Sequence, residues 1–124
     1  MGEPCPCGSG RAYVACCGPL HDGEPAATAE ALMRSRYSAY VLGHTDHVFR
    51  SWHPRTRPDD VSSDGTTWLG LEIVRTEDGA PDNDTGVVEF VARYQGPRGA
   101  QELHEVSRFE RRGGRWVYVD GDVS

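Results

Sequence analysis

The 124-residue sequence is 37% apolar and carries a net charge of −6, with thirteen arginines and no lysine. A chain of this size closes one hydrophobic core without disulfide staples, and the missing lysine excludes Schiff-base catalysis by that residue. Twelve Asp and Glu face seven Arg in residues 63–124, an acidic half that disfavours nucleic-acid binding, which needs a basic face. The first residues, Met-Gly-Glu-Pro-Cys, lack the cationic flank and apolar run of a signal peptide. No apolar stretch reaches the length of a membrane span. The expectation is a cytoplasmic protein with reduced thiols.

All four cysteines fall in "CPCGSGRAYVACCG", as C-x-C, eight residues, then C-C. Adjacent cysteines have Cα atoms about 3.8 Å apart, below the roughly 4.4–6.8 Å that a disulfide spans, so a Cys16–Cys17 bridge is strained. Cross-pairing such as Cys5 with Cys16 sits badly with a reducing compartment, and no C-x-x-C redox motif is present. Four thiolates match the closed tetrahedral shell of structural Zn2+, with soft Cu(I) as a rival. Glycines at 8, 10 and 18 let the backbone wrap the ion, Arg11 offsets part of the negative charge of a zinc tetrathiolate, and His21 is a candidate substitute ligand. With four sulfur ligands no position remains for substrate, so residues 1–20 are expected to form a structural knuckle that docks a macromolecular partner.

Residues 21–27, "HDGEPAA", read as a linker to a domain over 28–124. In "TAEALMRSRYSAYVLG" Thr28 caps a helix whose apolar stripe is Met33, Tyr37, Tyr40 and Val41, with Gly43 as the stop. A short second helix follows, with Thr45 as cap and Val48, Phe49 and Trp52 facing inward, ended by Pro54 and Pro58. The period then changes from 3.6 to 2. "TTWLGLEIVRTE", "GVVEFVARYQG", "AQELHEVSRFERR" and "RWVYVDG" are four strands joined by "DGAPDNDT", "GPRG" and "GG". Connections this short predict an antiparallel meander, with the helices on one face: an α+β fold.

The cysteine segment resembles the SEC-C motif, a zinc knuckle found at the tail of the preprotein translocase motor and in many bacterial proteins. The resemblance implies that Cys5, Cys7, Cys16 and Cys17 are the zinc ligands. Together with "TAEALMRSRYSAYVLG", "WHPRTRP", "LHEVSRF" and "WVYVDG", it makes the chain similar to the YchJ family over nearly its whole length. That family implies a nuclear-transport-factor-2-like main domain, a cone of helices on a curved sheet. Many relatives carry a second SEC-C motif at the C-terminus, where this sequence reads "DGDVS". By analogy with the translocase, the expected partner is a component of protein handling.

Cone-shaped domains of this kind often enclose a pocket, and the fold alone does not assign chemistry to it. Strand alternation places Glu105 with Leu103, Ser107 and Phe109 on one face, and Trp116, Tyr118 and Asp120 on one face of the last strand. The expected lining is Tyr37, Tyr40, Trp52, Glu105, Tyr118 and Asp120. Two readings compete. In one, Glu105 is an acid/base or ligand-binding group assisted by His104 and Tyr118. In the other, it forms an ion pair with Arg34 or Arg36 that fixes sheet to helix, the domain serving as a scaffold or a homodimer surface.

Overall fold

The computed structural model describes residues 3–61 and 65–124, so Met1 and Gly2 at the head of the expected knuckle lie outside the described residues. A 3₁₀ turn over Tyr13–Ala15 leads into α1 (Cys17–His21), followed by α2 (Ala29–Leu42) and α3 (Thr45–Arg50). Four strands follow: β1 (Trp68–Asp78), β2 (Thr85–Gly96), β3 (Gly99–Arg112) and β4 (Arg115–Val123). They pair in chain order as one antiparallel sheet, β1-β2-β3-β4. This is the α+β arrangement that the short turns require. No described helix is long and apolar enough to cross a membrane.

Helix α2 is the centre of the molecule. Thr28 Oγ1 accepts from Ala31 N at 3.0 Å, and Gly43 ends the helix in the left-handed region at φ 79°. Its buried set is far wider than one stripe: Ala29, Leu32, Met33, Ser35, Arg36, Tyr37, Ser38 and Ala39. The sheet covers one side, the cysteine segment a second and α3 a third, which is why serines and an arginine are buried beside leucine. Val41, expected in the stripe, is instead 37% exposed beyond these three layers. The cap of α3 also falls one residue earlier than expected, at His44, with no side-chain cap bond.

The inner sheet face supplies Val88, Phe90, Ala92, Phe109 and Trp116 to one continuous core with Leu32, Met33 and Tyr37. Cys5, Cys7 and Cys17 belong to that same core, so the knuckle is packed into the domain. Burial of this apolar set, at about 25 cal/mol per Å² removed from water, is the main stabilising term. The outer face is a grid of cross-strand ion pairs, including Arg93 with Glu72 and Glu102, and Arg108 with Asp120 and Asp122. Such exposed pairs contribute little each; their effect is to keep that face wet. The edge of β4 is covered, since Tyr118 N donates to Ser51 O (2.8 Å) and His53 N donates to Tyr118 O (2.7 Å).

Candidate metal centre and ligand cavity

The amino-terminal segment folds back on itself through a bridge between Pro4 and Ala12, with Cys5 N donating to Arg11 O at 2.9 Å. The reversal uses Gly8 and Gly10 at φ 77° and 85°, a region where glycine has no steric penalty. The fold brings the Sγ atoms of Cys5, Cys7, Cys16 and Cys17 within 4.8 Å of one another. Cys7 and Cys16 are 3.7 Å apart and Cys16 and Cys17 3.9 Å, far beyond a disulfide bond of about 2.05 Å. A tetrahedral ion with bonds near 2.3 Å requires sulfur–sulfur edges of about 3.8 Å, so the donor set fits a metal ion.

The surroundings support that fit. Ser9 Oγ lies 3.2 Å from Cys16 Sγ, and Ser38 Oγ lies 3.3 Å from Cys17 and 3.5 Å from Cys5. Arg34 donates from Nη1 to Cys7 O (2.8 Å) and from Nε to Glu30 (3.0 Å). A hydrogen bond from Cys17 holds Cys7 down at about 4 against opposing burial, while the same contact and burial push Cys17 up. The Cys7 thiolate thus forms readily, while Cys16 and Cys17 resist a second charge. A cation is what permits all four to ionise.

His21, the expected substitute ligand, is committed elsewhere. Its Nε2 bonds Ser35 O at 2.8 Å and its Nδ1 bonds Tyr13 Oη at 2.6 Å. A carbonyl only accepts, so Nε2 carries the proton and Nδ1 accepts from the tyrosine. His21 therefore clamps α1 to α2. It also packs on His47, ring centres 4.7 Å apart.

Between α2 and the sheet lies a cavity of about 310 Å³, walled by Met33, Tyr37, Tyr40, Trp68, Phe90 and Leu103. Its polar residues are Arg36, Glu105, Ser107 and Tyr118, with Trp52 alongside. Glu105 Oε2 accepts from Ser107 Oγ at 2.6 Å and from Tyr118 Oη at 2.9 Å. Opposite Ser107 stands Gly121, and a Cβ there would collide with the Glu105 carboxylate. The bare glycine is what gives the carboxylate its seat. Burial and the Glu105 charge push the Tyr118 hydroxyl well above its ordinary range, so it remains a donor.

Five of the six expected lining residues meet here: Tyr37, Tyr40, Trp52, Glu105 and Tyr118. Asp120 does not. The register runs Phe109 to Tyr118 and then Arg108 to Asp120, leaving Val119 as an extra residue. This bulge breaks the alternation and turns Asp120 to the outer face, where it binds Arg108 at 2.6 Å. His104 is also on the outer face, bonded to Glu89 at 2.5 Å and Ser124 at 2.7 Å. Neither expected arginine pairs with Glu105: Arg34 serves the knuckle, and Arg36 Nη1 donates to Val48 O (3.0 Å) and Ser51 Oγ (2.8 Å). The Arg36 guanidinium lies over the rings of Trp52 and Tyr118, 4.9 and 4.5 Å from their centres. Burial brings it down to about 10, still protonated at neutral pH. Sequence reasoning passed over Ser38 beside the cysteines and Trp68 in the cavity wall.

Comparison with known proteins agrees with both halves of this description. The SEC-C motif matches residues 3–19, and "YchJ, middle NTF2-like domain" matches residues 28–121. A UPF0225 protein of Streptomyces coelicolor is 54% identical over 121 residues, covering 96% of this chain and 94% of that one. A UPF0225 protein of Chromobacterium violaceum is 50% identical over 126 residues, 97% and 93% of the two chains. Among solved structures, a SEC-C motif containing protein from Rhodopseudomonas palustris superposes with a TM-score of 0.84 at 36% identity, covering 98% and 99%. A second, from Psychrobacter arcticus, gives 0.80 at 30% identity, covering 100% of this chain and 83% of that one. A four-cysteine cluster packed on a cone-like α+β domain, with relatives this close along almost the full length, places the chain in the YchJ (UPF0225) family of SEC-C motif proteins.

Proposed function

We propose that this protein is a zinc-braced binding domain that takes a small organic molecule into the cavity between α2 and the sheet. The observation that carries the reading is Glu105. It is an acid lining a largely apolar cavity, and no described arginine forms an ion pair with it. A purely structural carboxylate in such a place is normally paired with a cation. The cavity is near the lower end of the 300–1,000 Å³ typical of ligand pockets. The metal is zinc in this reading and purely structural, because four sulfurs leave no open position. It fixes Ser38, and through it α2, which supplies Met33, Arg36, Tyr37 and Tyr40 to the cavity. Reduced thiols suit a reducing compartment such as the cytoplasm.

Ligand-observed NMR of the zinc-loaded protein against a fragment library tests the main reading. Binders should be lost when Leu103→Trp fills the cavity. A wild-type protein that binds no fragment, or whose fragments are indifferent to that substitution, refutes it. A second role, docking of a protein partner on the knuckle, is favoured by Val14, 70% exposed at its surface. A photo-crosslinker at position 14 should then give one discrete adduct in cells; a diffuse pattern rejects docking there.

A further inference from the structure

Two charged groups in the cavity have valences that the protein leaves open. Arg36 is only 4% exposed, with Trp52 and Tyr118 against its guanidinium. Its Nη1 is bound to Val48 O and Ser51 Oγ, but among the described residues neither Nε nor Nη2 has a hydrogen-bond partner. The hollow that Arg36 lines is this cavity. Glu105 mirrors the situation. Its Oε2 takes two hydrogen bonds, while Oε1 receives none from the described residues.

The two groups form no ion pair with each other, yet Tyr118 touches both, its ring beside Arg36 and its hydroxyl on Glu105. The cavity thus presents a guanidinium donor edge and a carboxylate acceptor, held apart by a fixed ring, with apolar and aromatic walls beyond. Its net charge is zero. A ligand carrying one charge satisfies one group, leaves the other unpaired and brings a net charge into an apolar enclosure, which is costly. A ligand with both an anionic and a cationic group satisfies both with charge-assisted hydrogen bonds, roughly twice as strong as neutral ones.

Resting on the cavity reading above, we infer that the ligand is a small zwitterion of the apolar amino-acid class, its carboxylate on Arg36 and its ammonium on Glu105. The side chain of the ligand lies against Tyr37, Tyr40, Trp68 and Phe90. A free amino acid suits a volume of about 310 Å³.

The test is titration of the zinc-loaded protein, followed by ¹⁵N–¹H spectra, with two matched probe sets. One set is phenylalanine, 2-phenylethylamine, 3-phenylpropanoate and 3-phenylpropanamide. The other is leucine with its corresponding amine, acid and amide. At least one amino acid should bind tenfold or more tightly than every single-charge or neutral counterpart in its set, shifting the indole resonance of Trp68 and the amides of Glu105 and Ser107. Glu105→Gln should abolish the preference for the amino acid over the acid while leaving binding of the acid in place. An amine, acid or amide that binds as well as its amino acid overturns the zwitterion assignment and leaves the cavity reading standing. If no probe binds at millimolar concentration the zwitterion assignment falls, and failure of the fragment library as well removes the cavity reading with it. The wild-type comparison needs no variant to fold.

Discussion

His47 offers a quantitative check of the packing between α3 and α2. The ring is 5% exposed, with its Nε2 2.9 Å from Ser35 Oγ. Ser35 donates its own proton to Leu32 O at 2.7 Å, so His47 Nε2 is the donor. Burial, followed by the nearby His21, Arg50 and Arg36, brings the imidazole from 6.5 down to about 3. A group depressed in the folded state contributes stability above its unfolded value, and that contribution is lost as pH falls toward the folded value. At about 1.4 kcal/mol per pH unit, lowering the pH from 7.5 to 5.0 should remove about 2 kcal/mol through His47 alone. His47→Gln keeps an amide donor for Ser35 and does not titrate. Urea unfolding at 25 °C, followed by tryptophan fluorescence, should show wild type losing about 2 kcal/mol more than the variant across that interval. Acid release of the metal affects both proteins and cancels in the difference. Parallel stability curves would falsify the buried neutral assignment of His47.

Native mass spectrometry should find one zinc per chain, with four free thiols appearing only after chelation; two oxidised pairs would contradict the geometry of the cluster. Because Cys5, Cys7 and Cys17 lie in the main core, chelation should cost several kcal/mol of domain stability, read as a lower Tm for the whole domain. Unchanged melting of the sheet would show that the knuckle is independent. Gly121→Ala places a methyl against the Glu105 carboxylate and should cost about 1–3 kcal/mol; a neutral result in urea unfolding means the carboxylate has room elsewhere. Ser38→Ala removes the hydroxyl beside Cys5 and Cys17 and should weaken zinc about tenfold in a competition titration. Equal affinity would deny Ser38 any part in holding the site.

Much of this fold is legible in the sequence because its signals are local. Thr28 and Gly43 bound α2, and alternation in "LHEVSRF" is enough to place Glu105 beside Ser107. Spacing likewise isolates the four cysteines, since nothing else in the first seventeen residues competes for that role. The misplacements have non-local causes. Asp120 leaves the cavity face because one extra residue, Val119, is accommodated opposite the Arg108–Phe109 step, and a bulge leaves no mark in an alternating string. Val41 fits the helical period, but the layers around α2 end before reaching it. Ser38 looks like an ordinary helix-surface residue until the knuckle folds onto it from more than twenty residues away, and Ser35 does so until His47 of α3 reaches it. His21 is diverted from the metal for a similar reason: Tyr13 and Ser35 reach its two nitrogens first, and neither contact is written in the spacing of the cysteines.

Tyr118 connects parts of the molecule that are otherwise separate. Its backbone is bonded to Ser51 and His53 at the sheet edge, its ring lies against Arg36, and its hydroxyl holds Glu105. Such a residue behaves as a crank. A displacement of the strap formed by residues 51–53 along β4 would pull on the backbone that carries the ring, and the ring carries the hydroxyl that Glu105 accepts from. The edge strap and an interior carboxylate are therefore linked through one residue.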